Sequence, residues 1–318
     1  MSARIVSMHD VSLRELQECD LFVSSVAHGP RSTEIAKQLG ATMRDHWVIA
    51  QSTQGPESLA DQQPSSRRTI CIDADSFGRS LGSWLESREG AQPHVCIDIS
   101  SMSRPAMGAL IEALCEHAKL RRISVSVGYS IAAFTPPPSE LPPNEDIRPI
   151  SNWFSGWPSD ANASTSLVVG LGYEQGKAEG ACEYFDASET WAFFPCSPIA
   201  QYDAAVESNN NSLLQRVNRR NRLLRYEVDS PSATFGRLVQ TVSELVRTSN
   251  PVLLPFGPKI FFVVSLLVAS LYREVGVWHV TGDIPANDQE QPASDQVVAF
   301  IFVLAPPEIE LDAVGDEA

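Results

Sequence analysis

Four basic residues, Arg31, Arg104, Lys177 and Lys259, stand where short apolar runs give way to helical patterns. A helix start offers unpaired N–H groups and a dipole that favours anions and slightly disfavours cations. An anion held between each cation and the backbone would offset that cost. The competing explanations are solvated caps and internal salt bridges. Polar and titratable groups flank the same junctions. His28 precedes Gly29-Pro30-Arg31 and titrates near neutrality, which suits ligand contact, polar packing or proton transfer. Asp98 lies just before Ser100-Ser101-Met102-Ser103-Arg104; it is placed to receive a ribose hydroxyl or to act as an ordinary turn acceptor. Ser101 and Ser103 suit phosphate contact or turn closure. Tyr173 and Glu174 occupy the matching loop of the second half. There Tyr173 could stack on a base and Glu174 could read a sugar or base edge; the alternative is a packed turn.

Other chemistry has less support. Gly170, Gly172 and Gly176 give G-x-G-x-x-x-G, one residue longer than the dinucleotide fingerprint. Gly257-Pro258-Lys259 lacks the glycine cradle of a P-loop. No G-x-S-x-G elbow surrounds Ser101 or Ser103. His46, His94, His117 and His279 form no ligand-spaced cluster with His28, so neither a metal nor a cofactor is expected. No catalytic set is assigned, and whether the chain is an enzyme stays open. The densest positive segment holds Arg216, Arg219, Arg220, Arg222 and Arg225. It is read as a contact for a partner protein or for the chain's own carboxylates, with RNA as a further alternative.

The elements that must position these residues repeat. Phe77-Gly78-Arg79 recurs as Phe235-Gly236-Arg237, 158 residues later, and the same offset carries Pro93 onto Pro251. In the first half, strands are expected over 21–25, 47–50, 69–72, 95–99 and 123–127, with helices over 32–39, 77–86 and 106–117. In the second, strands are expected over 167–171, 191–194, 224–228, 252–256, 277–280 and 297–304, with helices over 177–185, 201–217, 234–248 and 260–275. This alternation predicts an α/β fold of two pseudo-symmetric Rossmann-like halves with mostly parallel sheets and an antiparallel C-terminal strand. The expected division is 1–135, a connecting strap over 136–166, a second domain over 167–306, and a flexible acidic tail over 307–318. The strap is proline-rich and carries Trp153, Phe154 and Trp157. It either packs on one half or faces a partner, with Trp153 and Trp157 as the contacts.

A chain of 318 residues with 43% hydrophobic content can bury a substantial core, and its net charge of −15 argues against coating bulk DNA. An acidic shell can still enclose a positive cleft. The apolar run over 260–271 is too short to cross a bilayer, so a buried helix is expected. Six scattered cysteines without C-x-x-C pairing, and a start without a signal-peptide pattern, suggest reduced thiols in a cytoplasmic protein.

Ser100-Ser-Met-Ser-Arg104 followed by Pro105-Ala-Met-Gly resembles the strand–loop–helix element of the CRISPR-associated Rossmann-like (CARF-like) sensor domains. Phe256-Gly-Pro-Lys259 looks like a second version, and Phe22-Val-Ser-Ser25 is similar to their first ligand-facing loop. The resemblance implies a sensor of cyclic or linear oligonucleotides in prokaryotic antiviral defence, with ligand bound across a two-fold interface. It carries ligand contact onto Ser24, Ser25, Ser101, Arg104, Gly257 and Lys259. The serine loop has less Gly and Thr than is common in the family, and no winged-helix or nuclease module is expected. The implied partner is therefore a separate effector or a second copy of the chain, with no membrane role. The alternatives are a small-molecule enzyme acting on a phosphorylated or nucleotide substrate, and a structural adaptor.

Overall fold

A computed structural model describes residues 2–16, 19–25, 31–39, 44–50, 69–73, 76–88, 92–137, 144, 146–158, 160, 162–281 and 292–308. His28 and the tail beyond 308 lie outside them. The first half runs β1 (Arg4–Val11), β2 (Leu21–Ser25), α1 (Arg31–Leu39), β3 (Asp45–Ala50), β4 (Thr69–Asp73), α2 (Phe77–Glu86), β5 (His94–Asp98), α3 (Arg104–Ala118) and β6 (Ile123–Ala132). The second runs β7 (Asp146–Pro149), β8 (Thr165–Gly170), α4 (Lys177–Phe185), β9 (Glu189–Cys196), α5 (Ala200–Asn209), α6 (Asn211–Asn218), β10 (Leu223–Glu227), α7 (Pro231–Leu245), β11 (Asn250–Pro255), α8 (Lys259–Leu271) and β12 (Gly276–Thr281). A last strand, β13 (Ala293–Ala305), ends the described chain.

The sheets are ordered β1-β13-β6-β5-β2-β3-β4 and β10-β9-β8-β11-β12-β7. Within each, five parallel strands follow one scheme: third, second, first, fourth, fifth. Each fifth strand then takes an antiparallel neighbour, β13 on β6 and β7 on β12. The halves are thus two similar α/β units. Each reverses its strand order between first and fourth strands, the switch point at which α/β sheets commonly bind ligands.

The repeated Phe-Gly-Arg triplets fall in equivalent helices, α2 and α7, each leading into the fourth parallel strand. Their surroundings differ. Phe77 is buried, with its ring centroid 5.8 Å from that of Trp47, whereas Phe235 is only partly buried.

Two strands depart from the expected division. β13 belongs to the first sheet, although its sequence position groups it with the second half. Val298, Phe300, Phe302 and Leu304 are buried there, and β1 pairs on its other side. An apolar run signals burial without saying which sheet supplies it. β1 itself was not expected, because as an edge strand it exposes much of its polar face. The strap contributes β7, another edge strand, which ends at Pro149.

The two sheet-and-helix units meet through α3 and α8. Every residue from Ile260 to Ser270 is buried, so α8 is the buried helix its apolarity predicts. Ser265 and Ser270 satisfy their hydroxyls by donating to the carbonyls of Phe261 (2.8 Å) and Leu267 (2.6 Å). The strap packs beside this seam. Phe154 is buried, Ser151 donates to Glu112 at 2.8 Å, and Trp153 donates to Glu116 at 2.7 Å while Arg273 stacks on its ring. Trp153 is therefore engaged within the chain, while Trp157 is 64% exposed.

Candidate functional site

Arg31, Arg104, Lys177 and Lys259 each occupy the first position of a helix, α1, α3, α4 and α8. These helices follow the first and fourth parallel strands of each half, β2, β5, β8 and β11. Pseudo-symmetry therefore relates Arg31 to Lys177 and Arg104 to Lys259.

Arg104 and Lys259 each reach into the other half. The Arg104 guanidinium donates to the carbonyls of Phe256 (3.3 Å) and Gly257 (3.4 Å), and Lys259 Nζ donates to the carbonyl of Ser100 (2.9 Å). Arg31 is buried and donates to the Ser100 carbonyl at 2.7 Å and the Ser130 carbonyl at 2.9 Å. The Ser100 carbonyl thus receives one cation from each half.

These three cations line a cavity of about 140 Å³ between the carboxyl edges of the two sheets. Tyr129, Ile131 and Ala132 supply one wall, and the Leu171–Glu174 and Phe256–Pro258 loops another. Tyr202 and Val206 of α5 close over it. Among the described lining residues, three cations face one carboxylate, that of Glu174. The pocket therefore reverses the sign of a chain with net charge −15.

Several local features hold the cavity open. Gly257 lies where a Cβ would come within 2.7 Å of the Leu171 carbonyl, so the second-half loops approach too closely for a side chain. Asn209 donates to the Tyr173 carbonyl at 2.6 Å and Asn210 to the Gly172 carbonyl at 2.8 Å. The helix expected over 201–217 is accordingly broken into α5 and α6 at these asparagines, which tie down the loop. Ser103 caps α3 by accepting from Ala106 at 3.3 Å.

Asp98 is buried beside the Ser100 loop. Its Oδ1 accepts the Ser100 N–H at 2.9 Å, and its Oδ2 has no protein partner. Burial raises its pKa to about 6, outweighing the Ser100 hydrogen bonds and the attraction of Arg31 and Lys259. Beside the cavity, two further buried oxygens have no hydrogen-bond partner among the described residues: Ser130 Oγ, whose residue lies between Tyr129 and Ile131, and the Tyr226 hydroxyl, beside Gly257.

Of the residues singled out by sequence, Arg31, Arg104, Tyr173, Glu174, Gly257 and Lys259 come together at this cavity. The other described ones do not line it, and His28 lies outside the described residues. Ser24 and Ser25 sit at the end of β2 but turn sideways, Ser24 to His46 Nε2 at 2.9 Å and Ser25 to the Ile49 carbonyl at 3.5 Å. Ser101 is half-buried and outside the lining; Ser100 holds the contacts instead. Asp98 lies behind the loop. Lys177 begins α4 without lining the cavity, and its carbonyl accepts from Asn144 at 3.3 Å. Sequence reasoning missed Tyr129, Ser130 and Tyr202: the first two lie beyond the expected end of their strand at 127, and Tyr202 reads as an ordinary helix residue.

The arginine cluster lies elsewhere, with Arg216 on α6, Arg225 on β10 and the other three in the turn between them. Arg222 pairs with Glu189 at 2.9 Å, and Arg225 lies over the Phe194 ring at 4.3 Å. Arg216, Arg219 and Arg220 are exposed. Among the described residues, no cluster of potential metal ligands is found, and no helix is long and apolar enough to cross a membrane. No protein-family model matches this chain, and no curated protein matches it.

Proposed function

We propose that the cavity between the halves binds an anionic nucleotide or short oligonucleotide, and that the chain is a sensing or scaffold subunit that acts through a separate effector. The observation that carries the proposal is the convergence of Arg31, Arg104 and Lys259 from both halves on one cavity. Arg104 and Lys259 are presented reciprocally, each bonded to carbonyls of the opposite half. A ligand anion entering there meets charge-assisted donors from both units and competes with those carbonyls for them. Ligand occupancy is thereby coupled to how the halves are held together, which is what a sensor requires. The resemblance of Ser100–Arg104 and Phe256–Lys259 to CARF-like loops extends the proposal to prokaryotic antiviral defence, with the fused halves standing in for a homodimer.

Catalysis on the ligand has less support than binding. Asp98, whose raised pKa would suit proton transfer, is not a lining residue. The test is to purify the native protein, identify co-purifying nucleotides by mass spectrometry, and titrate it calorimetrically with mono-, di- and cyclic oligonucleotides. Saturable binding of a nucleotide without turnover supports the sensor. Turnover of the bound nucleotide selects the enzyme reading, and a stable polypeptide partner with no nucleotide selects the adaptor.

A further inference from the structure

We infer that the protonation state of Asp98 sets the anion affinity of the cavity, so that the site holds its ligand more tightly in mild acid than at neutral pH; this rests on the reading of the cavity proposed above. The observation that carries it is a buried carboxylate behind the loop that gathers the cations. Asp98 is 2% exposed. Its Oδ1 accepts the Ser100 N–H at 2.9 Å, while the carbonyl of the same Ser100 accepts from Arg31 at 2.7 Å and from Lys259 at 2.9 Å. Both of those cations line the cavity. One serine therefore stands between the carboxylate and two of the three positive charges offered to a ligand.

The surrounding bonds hold Asp98 in this position. It is the last residue of β5, opposite the uncharged Gly128 of β6. Ser100 Oγ accepts the Ser130 N–H at 2.8 Å, and Arg31 also donates to the Ser130 carbonyl at 2.9 Å. Asp98 Oδ2 has no hydrogen-bond partner among the described residues. Its charge is therefore opposed by burial and favoured by the Ser100 hydrogen bonds, by Arg31 of α1 and by Lys259 of α8, a balance that leaves its pKa at about 6. Cys96, two residues back on β5, stays a neutral thiol, held well above its ordinary range by its hydrogen bond with Cys19 and by burial.

A bound anion and an ionised Asp98 draw on the same two cations, so each weakens the other. The coupling is reciprocal: the ligand raises the proton affinity of Asp98, and the proton raises the affinity for the ligand. The direction follows from the charges. Below about pH 6 Asp98 is neutral in the free protein, and anion affinity has its full value. As pH rises from there through the higher pKa of the complex, affinity falls and then levels, and binding takes up protons across that window.

Calorimetric titration of the full chain with sulfate and with cyclic di-AMP, whose charges are fixed between about pH 5 and 8, tests this. Wild-type affinity is expected to fall about ten-fold across the range, with proton uptake on binding. Asp98→Asn is expected to bind at every pH as tightly as wild type does in acid, and to take up no proton. Asp98→Ser keeps an acceptor for the Ser100 N–H and replaces the asparagine variant if that one does not fold. Wild-type binding that is independent of pH overturns the inference and leaves the nucleotide reading in place. A pH dependence that persists in the variants also overturns it, and assigns the proton to another group. Sulfate binding with the expected pH dependence, without binding of cyclic di-AMP, supports the proton linkage and counts against the nucleotide reading. Binding of neither probe overturns both.

Discussion

Asp98 is the residue whose chemistry most exceeds its sequence signal. A carboxylate at the end of a strand before a serine loop reads as a cap, and Asp98 does accept the Ser100 N–H. Burial adds what the sequence could not show, since it depends on α1 and α8 closing over the loop. The folded state holds the Asp98 proton up to about pH 6, against an ordinary value of 3.8. Between those values the native state binds more protons than the unfolded state, so this group's contribution to stability falls as pH rises through that window. At neutral pH the penalty is on the order of 3 kcal/mol. Asp98→Asn is expected to remove it. Urea denaturation of both proteins should show the variant gaining on wild type between about pH 4 and 6 and staying ahead above that. A difference that does not change across the range would contradict the burial argument. The cations were easier to read. Arg31, Arg104, Lys177 and Lys259 all begin helices, as their positions suggest, but only the tertiary fold separates the three that meet from Lys177.

At the scale of elements, the parallel strands and crossover helices were legible because periodicity and Gly/Pro punctuation act locally. α2 and α4 span the expected residues. The edge strands β1 and β7 were not legible. An edge strand needs little apolar patterning, and its assignment depends on a partner distant in sequence. The helix break at Asn210 was likewise hidden, because it depends on carbonyls of the Gly172–Tyr173 loop. The close approach of the loops after β8 and β11 gives an element-scale prediction. Gly257→Ala would bring its Cβ within 2.7 Å of the Leu171 carbonyl, a backbone atom that cannot move aside alone. The variant is expected to lose about 1–3 kcal/mol in denaturant unfolding. Full stability would show that the loops yield freely, and the cavity walls would then not be rigid.

At the scale of the whole molecule, the halves are similar in plan but interdependent. β13 follows the second half and completes the first sheet, while Asp10 of β1 accepts from Ser232 at the start of α7. A single cooperative unfolding transition is expected, and a fragment ending near residue 163 should aggregate, because it lacks β13 and leaves β6 as a long open edge. A soluble, folded fragment or two separate transitions would show independent halves. The central claim is that this interdependence builds an anion site from both units. Calorimetric titration of wild type, Arg104→Ala, Lys259→Ala and a remote Arg219→Ala/Arg220→Ala control, each with the tightest nucleotide of the panel, tests it most directly. Each single cavity variant is expected to lose about ten-fold or more in affinity, and the remote control to bind as wild type does. Unchanged affinity in both cavity variants, or a loss confined to the control, would contradict the account.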